Sequence, residues 1–190
     1  MRGTSALGIV TTLLLAMFFA NRAMGASPPI LRGPNFDERI TAIHSVAIMP
    51  IDCPGTLDCA SSEREFVYFL RAKQHLRVVD SSHISQFLFE QGISAADAIG
   101  KESGPSFLKK LGVDALFVPR VLDYRRVDKY LGGGPGVELR ADLELVVPGT
   151  PPLAKGNDTD GGPDMQLAGK PPLGRILIRV ADAILGGQKR

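Results

Sequence analysis

Apolar and polar positions alternate most regularly between Val137 and Val146. Val137, Leu139, Ala141, Leu143 and Leu145 take every second place, with Glu138, Arg140, Asp142 and Glu144 between them. Successive side chains of a strand point to opposite faces, so this stretch predicts a strand with one face on a core and the other in water. The preceding stretch, Ala115 to Arg126, opens on the apolar run Ala115 to Val118 and then turns mixed, with Val121, Asp123 and Arg125 in one phase. Between the two lies Gly132-Gly133-Gly134-Pro135-Gly136, a turn by composition. Together they predict a long antiparallel hairpin.

The other elements read off the same way. Val46 to Ile51 is a compact apolar run suited to a strand buried on both faces, with Pro50 near its end. Ser61 and Ser62 are candidate caps for a helix whose apolar stripe is Phe66, Val67, Phe69 and Leu70. Leu76 to Val79 is a second short strand, and Asp80, Ser81 and Ser82 offer caps for a helix ended by Gly92. Ser94 opens a brief helix through Ile99, and Pro105 to Leu111 forms another, stopped by Gly112. Leu173, Ile176, Leu177, Val180, Ala181, Ile184 and Leu185 fall at steps of three and four, which predicts a C-terminal amphipathic helix. The sum is an α/β (α+β) domain over 45–187. Its mixed sheet has about four to five strands, with helices mainly on one face. Residues 26–44 read as an extended lead-in, with a short helical turn over Asp37 to His44. The stretch 148–172, rich in proline and glycine, reads as a mobile surface loop.

Composition changes the picture at the N-terminus. Arg2, an apolar run from Leu7 to Ala20, and Ala23-Met24-Gly25 have the form of a cleaved signal peptide, with cleavage after Gly25 or Ala26. The run is short for a spanning helix. No cysteine follows it, so the sequence predicts no lipid anchor. Removing Arg2 and Arg22 takes Lys plus Arg from 22 to 20, equal to the 20 Asp plus Glu. A neutral chain has no bulk electrostatic reason to bind nucleic acid or an anionic membrane. In an exported protein, the pair Cys53 and Cys59 reads as a disulfide.

Candidate chemistry is sparse. The Gly132 to Gly136 run lacks a following Lys-Ser or Lys-Thr and a helix, so it does not read as a phosphate loop. Asn157-Asp158-Thr159-Asp160-Gly161 resembles a calcium loop only faintly, because Leu167 stands where the closing glutamate is needed. Asn157-Asp158-Thr159 is also a glycosylation sequon. His44, His75 and His83 share no metal-ligand spacing, and Ser81, His83 and Asp80 are too close in sequence to converge as a triad. No cofactor, metal or small-molecule substrate is expected. Arg120, Arg125, Arg126 and Lys129 read as cross-strand partners of Glu138, Asp142 or Glu144. Tyr68, Phe89, Arg120, Tyr124 and Tyr130 fall off the helical stripes or beside the turn and are the candidate partner-binding residues.

From Ser45 to Val147 the order of elements resembles the CsgG-like and TolB N-terminal-like group of bacterial envelope proteins. That group includes penicillin-binding-protein activator and GNA-type surface lipoproteins. The resemblance rests on Ser45-Val46-Ala47-Ile48-Met49-Pro50-Ile51, on Leu76-Arg77-Val78-Val79-Asp80 leading to Phe89-Glu90-Gln91-Gly92-Ile93-Ser94, on Leu111-Gly112-Val113-Asp114-Ala115-Leu116-Phe117-Val118, and on Val137 to Val146. It implies a two- or three-layer α/β domain in the periplasm, with outer-membrane association left open. It implies a non-enzymatic role in binding, regulating or assembling an envelope complex of the secretion, flagellar or cell-wall kind. Its alternative is an oligomeric outer-membrane secretion-channel subunit, so a homo-oligomer is left open. The chain departs from the group in lacking a lipidation cysteine and the curli channel's long hairpin insertions. It also carries Pro119 where glycine is common. The group's last strand falls near Leu153-Ala154-Lys155.

Overall fold

The computed structural model describes residues 27–55, 57–100, 102–128, 136–163 and 171–186. In chain order these form β1 (Ile30–Arg32), α1 (Phe36–Thr41), β2 (Ser45–Ile48), α2 (Cys59–Ala72), β3 (Arg77–Val79), α3 (Ser81–Gln91), α4 (Ala95–Ile99), α5 (Gly104–Leu111), β4 (Ala115–Val127), β5 (Gly136–Val146), β6 (Ala154–Pro163) and α6 (Pro172–Leu185). One sheet of six strands runs in the order β1-β6-β5-β4-β2-β3. β2 is parallel to β3 and β4, and the remaining pairs are antiparallel. The α/β class and the central hairpin are as the sequence reading has them, with six strands in place of four or five.

Alternation along the strands sorts the core into two layers. Val46, Ile48, Val78, Ala115, Phe117, Leu139, Ala141, Leu143 and Leu145 face α1, α2 and α6. Ala47, Met49, Leu116, Val118 and Val146 face α3, α4 and α5. Helices therefore cover both faces of the parallel half of the sheet, not mainly one. Among the described residues the antiparallel half is covered by a helix on one face, where α6 makes extensive contacts with β5 and β6.

Side chains fix where the helices begin. Asp58 caps α2 by accepting from Ser61 N, which leaves Ser61 and Ser62 inside the first turn, not capping it. Asp80 caps α3 through His83 N, and Ser94 caps α4 through Asp97 N. Gly92 and Gly112 end their helices in the left-handed region, at φ 62° and 64°. The β2–β4 ladder has its last rung at Met49 N to Phe117 O, 2.8 Å. The next rung would need an N–H from residue 119, and Pro119 has none.

Three stretches differ from the sequence reading. Within 148–172, Ala154 to Pro163 is not loop but strand β6, paired along β5 from Leu145↔Ala154 to Gly136↔Pro163. The lead-in 26–44 is no mere lead-in: it supplies edge strand β1, its helical turn is α1, and Pro28, Phe36, Ile40 and Ile43 are buried. In β4 the register shifts between Val121 and Asp123, a bulge that reverses the phase of the strand. Val121 and Tyr124 consequently both pack on the first core layer. That is why β4 shows no simple alternation. The signal segment 1–25, Lys129 and Tyr130 and residues 164–170 lie outside the described residues.

Candidate functional site

The bare face of the antiparallel half carries the polar residues of the hairpin. Register places Arg120, Asp123 and Arg125 of β4 beside Asp142, Arg140 and Glu138 of β5. It places Lys155, Asn157 and Thr159 of β6 beside Glu144, Asp142 and Arg140. Eight charges, four of each sign, thus share a face that no described helix covers.

At the end nearest the parallel strands these charges form a tight cluster. Arg120 Nη1 lies 2.8 Å from Glu144 Oε1 and 4.0 Å from Asp142 Oδ2. Lys155 Nζ lies 2.6 Å from the same Glu144 oxygen and 2.9 Å from Asp142 Oδ2. The two acids are 2% and 8% exposed, so half of the face read as solvated is buried under its own ion pairs. Burial alone would raise the Glu144 carboxyl, but hydrogen bonds from Lys155 and Arg120 outweigh it and hold the group below its ordinary value. The same bonds, to Glu144 first and then Asp142, raise the Lys155 ammonium.

Toward the hairpin end the face opens into a groove of about 450 Å³, lined by Asp123, Arg125, Glu138, Arg140 and Thr159 among others. Arg125 pairs with Glu138 across the strands. Asp123 and Arg140 are register partners of opposite charge, both exposed, yet they form no ion pair with each other. Outside the Arg125–Glu138 pair and the Asp160 carboxylate that faces α6, the polar side chains lining the groove are Asp123, Arg140 and Thr159.

The opposite side of β6 is tied down. Asp158 and Asp160 point at α6, where Arg179 Nε meets Asp158 Oδ2 at 2.6 Å. Arg175 Nε meets Asp160 Oδ2 at 2.8 Å, and Arg179 Nη1 reaches the same oxygen at 3.0 Å. The calcium-like run is thus a strand whose carboxylates already hold two guanidiniums. Among the described residues no group of three or more His, Cys, Asp or Glu is placed to hold a metal ion.

The residues chosen from sequence scatter. Cys53 and Cys59 are joined as a disulfide, Cα to Cα 6.2 Å, which ties the loop after β2 to the first turn of α2. Tyr68 (71% exposed) stands on α2 and Phe89 (88%) on α3, helices on opposite faces of the sheet, so they share no surface. Arg120 joins the buried acid cluster. Tyr124 is half-buried against the first core layer, across the sheet from the groove. Tyr130 lies outside the described residues. Sequence reasoning missed Asp123, Arg140, Lys155 and Thr159. The signal available was the two-residue beat Lys155, Asn157, Thr159 against Asp158, Asp160, hidden by the glycines around it.

Among the described residues no helix is long and apolar enough to cross a membrane. No family model matches the chain, and no curated protein matches it. Among solved structures it is similar to lipoprotein GNA1162 from Neisseria meningitidis, with TM-score 0.49 and 16% identity over 75% of this chain and 98% of that one. It is similar to the PelC dodecamer from Paraburkholderia phytofirmans, with TM-score 0.45 and 16% identity over 84% and 94%. It is also similar to the LpoB C-terminal domain from Salmonella enterica, with TM-score 0.40 and 14% identity over 67% and 93%. Similarity at this level transfers no site, activity or partner to this chain.

Proposed function

We propose that the chain is an exported, non-enzymatic interaction or assembly protein of a bacterial envelope complex, and that the bare face of β4, β5 and β6 is its docking surface. One observation carries this reading. The core is closed on one side of the antiparallel half by α6, and the other side is a charged sheet face with a groove that no helix among the described residues covers. Export is supported by the Cys53–Cys59 disulfide, a bond that persists in oxidising compartments. A non-enzymatic role is supported by the fate of the titratable groups. Three of the four acids of the face, Glu138, Asp142 and Glu144, are held in ion pairs, and His44, His75 and His83 lie at separate element ends. A membrane stave built from the β4–β5 hairpin would need one free apolar face. The apolar face here is filled by α6.

The test is site-specific photo-crosslinking in cells. A crosslinking residue at Thr159 or Arg125 is expected to capture an envelope protein, while one at Tyr68 or Phe89 is not. Capture from the helix positions alone would move the docking surface elsewhere and overturn the assignment.

A further inference from the structure

We infer that the occupant of the bare face is a second copy of this chain, docked about a two-fold axis that sets Asp123 of each copy against Arg140 of the other. The inference rests on the docking-surface reading above and names its partner. Six of the eight charges on the face stand in ion pairs within the chain: Arg125 with Glu138, Arg120 with Glu144, and Lys155 with Asp142 and Glu144. The remaining two are Asp123 and Arg140, one anion and one cation on adjacent strands at the groove. A two-fold contact presents the same patch on both sides, so it needs a surface complementary to itself. One unpaired acid beside one unpaired base is the smallest charge pattern with that property. A purely acidic or purely basic partner would satisfy one of the two and repel the other. Each groove would then receive the partner's guanidinium, with Thr159 beside it as a neutral donor and acceptor.

Sedimentation equilibrium on the purified chain tests this over a wide concentration range. The wild-type mass is expected to rise toward twice the chain mass. Asp123→Arg leaves two arginines on the patch and Arg140→Asp leaves two aspartates, so each variant is expected to associate at least tenfold more weakly. An equimolar mixture of the two variants restores complementarity and is expected to return to double mass. That recovery also shows that neither variant had simply misfolded. A wild type that stays monomeric, single variants that associate like the wild type, or a mixture that stays monomeric while the wild type pairs would each overturn the inference. If the wild type is monomeric but Thr159 crosslinks to a different protein, the second copy is wrong and the docking surface stands. If it is monomeric and nothing crosslinks there, both fall.

Discussion

Gly156 sits where β1, β6 and α6 meet. A Cβ built on it would collide with Ile30 Cδ1 and lie 2.7 Å from Val180 Cγ1. A side chain there must push the helix or the edge strand away. Gly156→Val is therefore expected to destabilise the fold by about 1–3 kcal/mol, as overpacking does, read as a lower urea midpoint. Adding Ile30→Ala should recover part of that loss, because the two changes share one contact. A midpoint unmoved by Gly156→Val would mean the strand edge yields freely. The disulfide acts at a different kind of point. Cys59 is the first residue of α2, immediately after its Asp58 cap, and Cys53 lies in the loop after β2. Closing so short a loop restrains the unfolded chain by about 2 kcal/mol on the chain-entropy estimate. Reduction should lower the thermal midpoint accordingly while leaving the far-ultraviolet spectrum nearly unchanged at room temperature. Wholesale loss of helix on reduction would show that the bond organises more than its own loop.

At the scale of elements, β6 shows how a strand can be built without strand-forming residues. Its sequence, Ala-Lys-Gly-Asn-Asp-Thr-Asp-Gly-Gly-Pro, has poor β propensity everywhere but at Thr159. What holds it is geometry. Two residues of strand span about 6.8 Å and four residues of helix about 6 Å, so Asp158 and Asp160 line up with Arg179 and Arg175 on α6. The hairpin and the longer helices were legible from periodicity, because their apolar residues repeat at the period of the element; α4 and α5 were legible from their caps and stops, and α1 overlaps the helical turn read over Asp37 to His44. β6 was not, since its pattern is charge matched to a helix 15 to 21 residues further on. β1 is three residues long, too short for any period, and the bulge in β4 cut a real alternation in two. The charged groove was likewise invisible, because its third wall is β6. The latch makes an acid prediction. Burial would raise Asp160, but Arg175 and Arg179 outweigh it, so its folded carboxyl titrates below the ordinary value. Glu144 and Asp114 are lowered in the same sense, Asp114 by backbone and hydroxyl hydrogen bonds from His44 and Ser45 against its burial. Groups depressed in the folded state contribute stability that is whole above the unfolded carboxylate value of about 4 and is lost as pH falls through the folded values. Urea unfolding should therefore give stability flat from about pH 5 upward and falling steadily below about pH 4. Arg179→Met should lower the plateau by about 1–3 kcal/mol and make the acid limb shallower. An unchanged limb in that variant would show that the latch does not carry the acid dependence.

The molecule as a whole keeps partners away from its sheet edges, and this is what directs contact to the face. β3, one edge, is three residues long, and the carbonyl of Val78 accepts from Arg71 Nη2 at 2.8 Å. β1, the other edge, is equally short and is preceded by Pro28 and Pro29, which have no N–H to offer a neighbouring strand. Both edges carry the devices that discourage strand addition, while the face between them carries none. Arg71→Ala separates the two routes. Removing the guanidinium bares one carbonyl of β3 and should lower stability by about 1 kcal/mol. It should also hasten aggregation on mild heating, followed by light scattering against Arg64→Ala on the same helix as control. Docking should be indifferent to it: crosslinking from Thr159 and the sedimentation profile should match the wild type. The opposite pattern, with partner capture lost in Arg71→Ala and kept in Arg140→Asp, would place recognition on the β3 edge and make the charged face a solvated surface and nothing more.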